Sequence, residues 1–339
     1  MSLSNKQFEI FCGTGGVGKT TLATSRAIHL AKAGRKVLLI TIDPAKRLKD
    51  LLGLKETDIG EIKEISFDEV RLDALLMDSQ HTIKRMAKDI NSTELQSNKI
   101  IGILTKPYGG MNEILSLIEV QMQYERNIYD TIVLDTPPGS HFLDFLRGAS
   151  KINHFFDQSF IDIFNYVTNK NAKKGFNLIN KVISSGVNKL LDYLYKVTGA
   201  EFIESFVEAI KIIYDSKEAF LKGFALQEQF KNQDKSNWFL VTSVEQGKIY
   251  EALDIKHHAK HYFHEDHFLL LNKCLEEELS SWQPTVEGHL RYQRKALLRE
   301  RELKRSMEEV FSNIIYFPDI ADVTPKAQVA QLINNWDHQ

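Results

Sequence analysis

Short, wholly apolar runs bounded by polar residues alternate with longer stretches whose apolar residues recur at helical spacing, the pattern of a parallel sheet wrapped by helices. From Phe8 the run FEIFCG reads as a first strand, and Thr21 to Ala33 as the helix that follows, closed by Gly34 in the manner of a C-cap. KVLLITI, Lys36 to Ile42, is apolar on both faces and predicts a buried parallel strand ending at Asp43. Ile65–Leu72 predicts a further strand, Asp78–Leu95 a polar helix, Asn112–Glu125 another helix, and Thr131–Leu134 a strand ending at Asp135.

After His141 the pattern changes. From Phe142 to Phe230 strand signals vanish and apolar residues repeat at helical spacing, as in Phe202, Phe206, Ile210 and Ile213. Strand pattern resumes at Trp238–Thr242 and Phe268–Leu271. A charged helix is expected over Val286–Phe311, a last strand over Ile314–Phe317 and a closing helix over Thr324–Trp336. The fold class predicted is α/β: a mostly parallel sheet flanked by helices, residues 1–141 and 236–339, interrupted by an all-helical insertion, residues 142–235.

The turn after the first strand carries the chemistry. Gly13, Thr14, Gly15, Gly16, Val17, Gly18, Lys19, Thr20 and Thr21 form G-x-x-x-x-G-K-T between a strand and a helix, the context that gives this motif physical meaning. Glycines let the backbone wrap a phosphate chain so that amide N–H groups and the positive end of the helix face anionic oxygens. Lys19 is placed to reach the β- and γ-phosphates and the Thr20 hydroxyl to bind Mg²⁺. Two polar residues at other strand ends join it, where a doubly wound sheet collects ligands. Asp135, in LDTPPGSH, suits an acid that holds Mg²⁺ through its water shell, and Asn272, after FLLL, suits a purine edge. GTPases place Asn-Lys-x-Asp here. Asn272-Lys273-Cys274-Leu275 lacks that final carboxylate, so ATP is expected rather than GTP.

Composition narrows the classes. The 339 residues can bury a large core, and a net charge of −2 exerts no global pull toward nucleic acid. MSLSNKQFEI has no signal-peptide pattern and no apolar run is long enough to span a bilayer, so a cytoplasmic protein is expected. Cys12 and Cys274 are the only cysteines, too few for a disulfide scaffold, and they form no Cys-x-x-Cys.

GTGGVGKTT, ITIDPAKRLKD, LDTPPGSHFLDFL and LLNK, in this order and with a helical insertion after the second aspartate, resemble the ArsA-type ATPases. That family takes in arsenite-pump ATPases and Get-type targeting factors for tail-anchored membrane proteins. The resemblance implies a SIMIBI-like P-loop Mg-ATPase that works as a homodimer and couples nucleotide-driven closure to a helical, client-binding subdomain. Asp43 would polarise the attacking water, residues 43–50 and 135–145 would be the switches, and Pro318 would flank the base. The clients implied are hydrophobic or membrane proteins.

Departures from the family pattern sharpen the reading. The family's deviant Walker A loop has a second lysine that crosses the dimer, and here that position is Thr14. A threonine cannot offset charge developing on the γ-phosphate as a cation can, and Lys46 or Arg47 is the expected substitute. Two cysteines cannot assemble a three-thiolate metalloid site. The insertion has no methionine between Met122 and Met307 and is crowded with phenylalanine, among them Phe142, Phe145, Phe155, Phe206 and Phe220. These read as core, or as the lining of an apolar groove. The basic residues of Val286–Phe311 are interleaved with glutamates, which predicts a solvated helix laced with ion pairs and no nucleic-acid partner. His257, His258, His261, His264 and His267 read as a polar connection, with metal binding as the other reading. A ParA- or MinD-type partitioning ATPase would lack the insertion and usually end in a basic amphipathic helix, whereas QLINNWDHQ is short and not basic. A small-molecule kinase would need a polar acceptor pocket, and the aromatic insertion argues against one.

Overall fold

The computed structural model describes residues 3–42, 49, 51–106, 111–155, 200–320 and 324–338. Among them are eight strands, β1 (Phe8–Gly13), β2 (Val37–Thr41), β3 (Ile62–Phe67), β4 (Val70–Leu76), β5 (Thr131–Asp135), β6 (Ser236–Ser243), β7 (Phe268–Cys274) and β8 (Ile314–Pro318). They form one sheet in the order β3-β4-β2-β5-β1-β6-β7-β8, parallel throughout except for the β3–β4 pair. Every residue of β1, β2, β5 and β6 is buried, as expected of central parallel strands covered on both faces. The α/β P-loop class read from the sequence is the fold found.

The chain divides into two compact units: Met1–Met77, Met122–Leu146 and Gln227–Gln339 in the first, Asp78–Gln121 and Arg147–Leu226 in the second. The first holds the whole sheet. Helix α1 (Lys19–Lys32) lies on it, fixed by a buried ion pair: Arg26 donates from Nε and Nη2 to the two carboxylate oxygens of Glu9 on β1, at 2.6 and 3.0 Å. Breaking such a buried pair costs about 3–5 kcal/mol, because one charge is left uncompensated. The guanidinium also stands 5.1 Å over the Trp336 ring, whose indole N–H donates to Ser25 Oγ. Phe11, Phe239 and Phe317 pack around the same indole, with ring centroids 6.2, 5.9 and 4.8 Å away.

The second unit is helical where described. Its helices are α2 (Ser79–Asp89), α3 (Thr93–Ser97), α4 (Lys99–Leu104), most of α5 (Asn112–Glu125) and α6 (Gly139–Phe155), all of α7 (Ala200–Asp215) and the first part of α8 (Lys217–Lys231). Asn98 caps α4, accepting from Ile100 and Ile101 N–H, while its Nδ2 reaches Ser205 O and Glu208 on α7. Glu119 on α5 is fully buried and accepts from Arg85 and Thr82 of α2, each at 2.6 Å. The residues in the expected insertion beyond 155 and before 200 lie outside the described residues, Phe156, Phe160, Phe164 and Phe176 among them.

Two elements differ from expectation. The strand expected over Ile65–Leu72 is a hairpin of β3 and β4, because Asp68 turns the chain at φ +53, a conformation a short polar side chain tolerates. The helix expected over Asp78–Leu95 is interrupted at Asn91, φ +54, after which Ser92 caps α3 by accepting from Leu95 N–H. Both turns use a non-glycine residue in the left-handed region, which hydrophobic spacing does not reveal.

Helix α9 (Gln246–Ala259) leads into β7 through the histidine-rich segment. His264 donates from Nε2 to Ser236 O at 2.9 Å and His267 from Nδ1 to His264 O at 3.0 Å, and the second nitrogen of each ring is buried without a partner. Desolvation, the largest influence on each, lowers both pKa values, with Asp266 and Lys6 near His264 and Lys256 near His267 as smaller influences. A lowered folded-state pKa means that the unfolded chain protonates first, so stability is flat above about pH 6.5 and is lost as pH falls through it. His267→Phe, which keeps the ring contacts to Phe263 and Phe311, is therefore expected to shrink the drop in melting temperature between about pH 8 and about pH 5.5. An unchanged drop in differential scanning calorimetry would refute this assignment.

Candidate active site

The carboxyl ends of β1, β5, β6 and β7 meet at one edge of the sheet, and the loop after β1 curls over it. Gly13 passes so close to β6 that a Cβ would stand 2.1 Å from Val241 O, and its φ is +145. Gly18 has φ +90 and presses on β7, where a Cβ would meet Asn272 Nδ2 at 2.4 Å. No L side chain fits either position without displacing backbone or a buried amide, so the motif's first and last glycines are fixed by space as well as by dihedral.

Two residues of β7 hold the loop from the other side. Asn272 donates from Nδ2 to Val17 O at 2.7 Å, and Lys273 donates from Nζ to Gly16 O at 3.0 Å. Lys273 sits at φ +60 within an irregularity of the β7–β8 ladder between Leu271 and Cys274. Sequence reasoning weighed Asn272 only as a base contact and missed Lys273. Its signal was the Asn-Lys pair itself at a strand end.

Beyond Gly18, α1 begins and its first-turn N–H groups point at the loop's concave side. Lys19 Nζ lies 3.0 Å from Asp135 Oδ1 and also donates to Thr136 O, while Thr20 Oγ1 donates to Asp135 Oδ2 at 2.7 Å. Lys19 and Asp135 side chains are only 9% and 3% exposed, so a cation, a hydroxyl and a carboxylate converge where solvent screening is weak. The donor set suits a magnesium triphosphate: amide N–H groups and an ammonium for anionic oxygens, hydroxyl and carboxylate oxygens for a hard cation. A cavity of about 260 Å³ opens beside the loop, lined by Gly18, Thr21, Asn272, Lys273, Pro318 and Ile320, among others.

Of the residues singled out in the sequence, the structure brings Gly13 through Thr21, Asp135, Asn272 and Pro318 to this edge. Gly15 lies near Pro138 (3.9 Å to the Cβ it lacks), and Val17 is packed in the core. Asp43, Lys46 and Arg47 lie outside the described residues. Thr14 is 1% exposed and its hydroxyl oxygen has no hydrogen-bond partner among the described residues; Thr41, at the end of β2, shares that condition. Burial raises both thiols, Cys274 to about 12, so neither is a thiolate near neutrality. Among the described residues no group of three or more His, Cys, Asp or Glu side chains is disposed to hold a metal, the histidine-rich segment included. Among them, too, no helix is long and apolar enough to cross a membrane.

The family described as anion-transporting ATPase matches residues 6–317. A protein of Aquifex aeolicus provisionally named arsenical pump-driving ATPase 2 is 26% identical over 79% of this chain and 80% of its own length. The ATPase get3 of Aspergillus terreus is 25% identical, and that of Aspergillus niger 26%, each over 86% of this chain and 80% of theirs.

The buried hydroxyl at position 14 has a measurable cost. An unsatisfied buried donor destabilises by about 1–3 kcal/mol, so Thr14→Val, nearly the same shape without the hydroxyl, is expected to raise the melting temperature of the ligand-free protein by a few degrees. Thr14→Ser, which keeps the hydroxyl, is expected not to. A fall for Thr14→Val in thermal denaturation would show that the hydroxyl is satisfied.

Proposed function

The chain belongs to the anion-transporting ATPase family, and from that premise we propose that it is an ATP-driven switch that closes as a homodimer and holds an apolar client in its helical insertion, residues 142–235. As a member of this family it is an ATP hydrolase, with ATP as its nucleotide and Mg²⁺ as its metal. The observation that carries the reading is the convergence of Lys19, Thr20 and Asp135 beneath a loop whose first and last glycines cannot be replaced.

In this reading the loop amides of Gly15 to Thr21 bind the phosphates, and Lys19 exchanges Asp135 for the β- and γ-phosphate oxygens. Thr20 would hold Mg²⁺ directly and Asp135 would hold it through water, and Mg²⁺ bound there would supply positive charge against the charge that develops on the phosphoryl group. Asp43 orients the attacking water, and Lys46 or Arg47 supplies the cation that Thr14 does not. For the base, Asn272 spends its Nδ2 on Val17 O, which leaves its carbonyl oxygen to accept. An acceptor complements the N6 amino group of adenine and repels the O6 of guanine. Pro318 flanks the ring. The scarcity of cysteine and the raised thiol pKa values favour an apolar client over arsenite. The proposed setting is the cytoplasm.

The purified protein is expected to release phosphate from Mg-ATP with no added acceptor. Lys19→Ala is expected to lower kcat/KM about a hundredfold or more, the scale on which a lost electrostatic contact to a developing anion is felt. Retention of full activity would overturn the nucleotide assignment. Separately, Asp43→Asn is expected to stop turnover while keeping nucleotide bound, and to shift the protein to a dimer in sedimentation with ATP. A monomer at every nucleotide state would refute the closure, and binding of an apolar peptide that ignores nucleotide would refute the coupling.

A further inference from the structure

Helix α11 (Glu287–Glu308) carries a feature that nucleotide chemistry does not use. Of its 22 residues only Glu300 and Met307 are buried. Glu300 accepts from the N–H groups of Leu275 and Glu276 and pairs with Lys304, which together with Arg301 also pairs with Glu276 of the short helix α10 (Glu276–Ser281). These contacts fix one side of α11 to the sheet unit. At about 100° per residue, the opposite side presents Arg291, Arg294, Lys295, Leu298, Glu302 and Arg305, with Tyr292 and Arg299 at its flank.

The expected lacing of ion pairs covers only part of this helix. Arg291 pairs with Glu287, both almost wholly in solvent. Among the described residues no ion pair reaches Arg294, Lys295, Arg299 or Arg305, all of them exposed. Four cations with no ion pair among the described residues, the acid Glu302 and the Arg291–Glu287 pair therefore share a strip along a helix about 33 Å long. Leu298, 61% exposed, stands at the centre of the cations, and Tyr292 is 64% exposed beside them. Trp282, by contrast, packs against His289 and accepts from Gln293 on the attached side, so it is not part of this strip.

Charge and apolar exposure together select the occupant. A nucleic-acid backbone would answer the cations but gains nothing from a leucine at their centre, and an acidic protein surface answers both only where it carries an apolar patch of its own. The boundary of an anionic bilayer answers both: headgroup phosphates for arginine and lysine, and the upper acyl region for Leu298 and the amphipathic ring of Tyr292. With the chain as a whole at −2, the attraction is local to this strip. We propose that the outward face of α11 docks on the surface of an anionic phospholipid membrane.

The test is flotation of the full-length protein with phosphatidylcholine vesicles, with and without phosphatidylserine. The protein is expected to float only with phosphatidylserine and to be released by salt. Charge reversal at Arg294, Lys295 and Arg299 is expected to lower the partition coefficient by about a hundredfold or more, since each cation near such a surface contributes about fivefold. Leu298→Ser is expected to weaken flotation while leaving retention on duplex DNA unaltered. Unchanged ATP hydrolysis in vesicle-free buffer shows that a variant is folded; if the triple variant is not, Lys295→Gln with Arg299→Gln replaces it. Failure of the wild type to float, equal flotation of the charge variants, or indifference to Leu298→Ser would each overturn the proposal.

Discussion

The Asp135 carboxylate is the point on which the site's geometry turns. β5 lies between β1 and β2, with Asp135 opposite Phe11 on one side and Thr41 on the other. Ile42 N–H donates to Asp135 O and Thr136 N–H to Phe11 O, so the backbone on either side of the carboxylate is committed. A side chain held this rigidly can order mobile groups around it, and Lys19 and Thr20 come to it from the first turn of α1. Preorganisation of this kind is what a dry polar site requires if its charges are to act on a ligand without first rearranging.

Support for that arrangement is distributed over the sheet. Glu9 of β1 takes Arg26 of α1 in a bidentate pair that a single substitution would leave half-made in the core. Asn272 and Lys273 of β7 brace the loop's carbonyls, and Val241 of β6 sets the closest approach of its backbone. Some of the molecule's strain and unsatisfied polar groups lie at this edge, Lys273 in the left-handed region and the Thr14 and Thr41 hydroxyls, while others, Asp68, Asn91 and the imidazoles of His264 and His267, lie away from it.

The phosphate loop and the central strands could be read before any coordinates because their determinants are local. A glycine-rich turn between an apolar run and a helix has few other uses, and KVLLITI, alternating with helical stretches, fits a strand buried on both faces of a parallel sheet. What escaped reading depends on single dihedral angles or on residues distant in the chain. Asp68 and Asn91 turn the backbone where hydrophobic periodicity runs on, so one expected strand became two and one expected helix was cut. The brace from Lys273 joins positions 257 residues apart, and no spacing rule foresees it. The burial of Thr14 was equally hidden, since its side chain reads as an ordinary loop hydroxyl.

Trp336 carries a consequence for how the molecule acquires its activity. Its indole closes over Ser25 and Arg26, partners 311 residues back in the first of those contacts. Contacts of such separation are made late, after the entropy of closing the intervening chain has been met. A nascent polypeptide thus displays its glycine-rich turn long before the tryptophan that seats the neighbouring helix has been synthesised. Competence to grip nucleotide would then wait until the chain has passed Trp336, well after the glycine-rich turn itself has emerged.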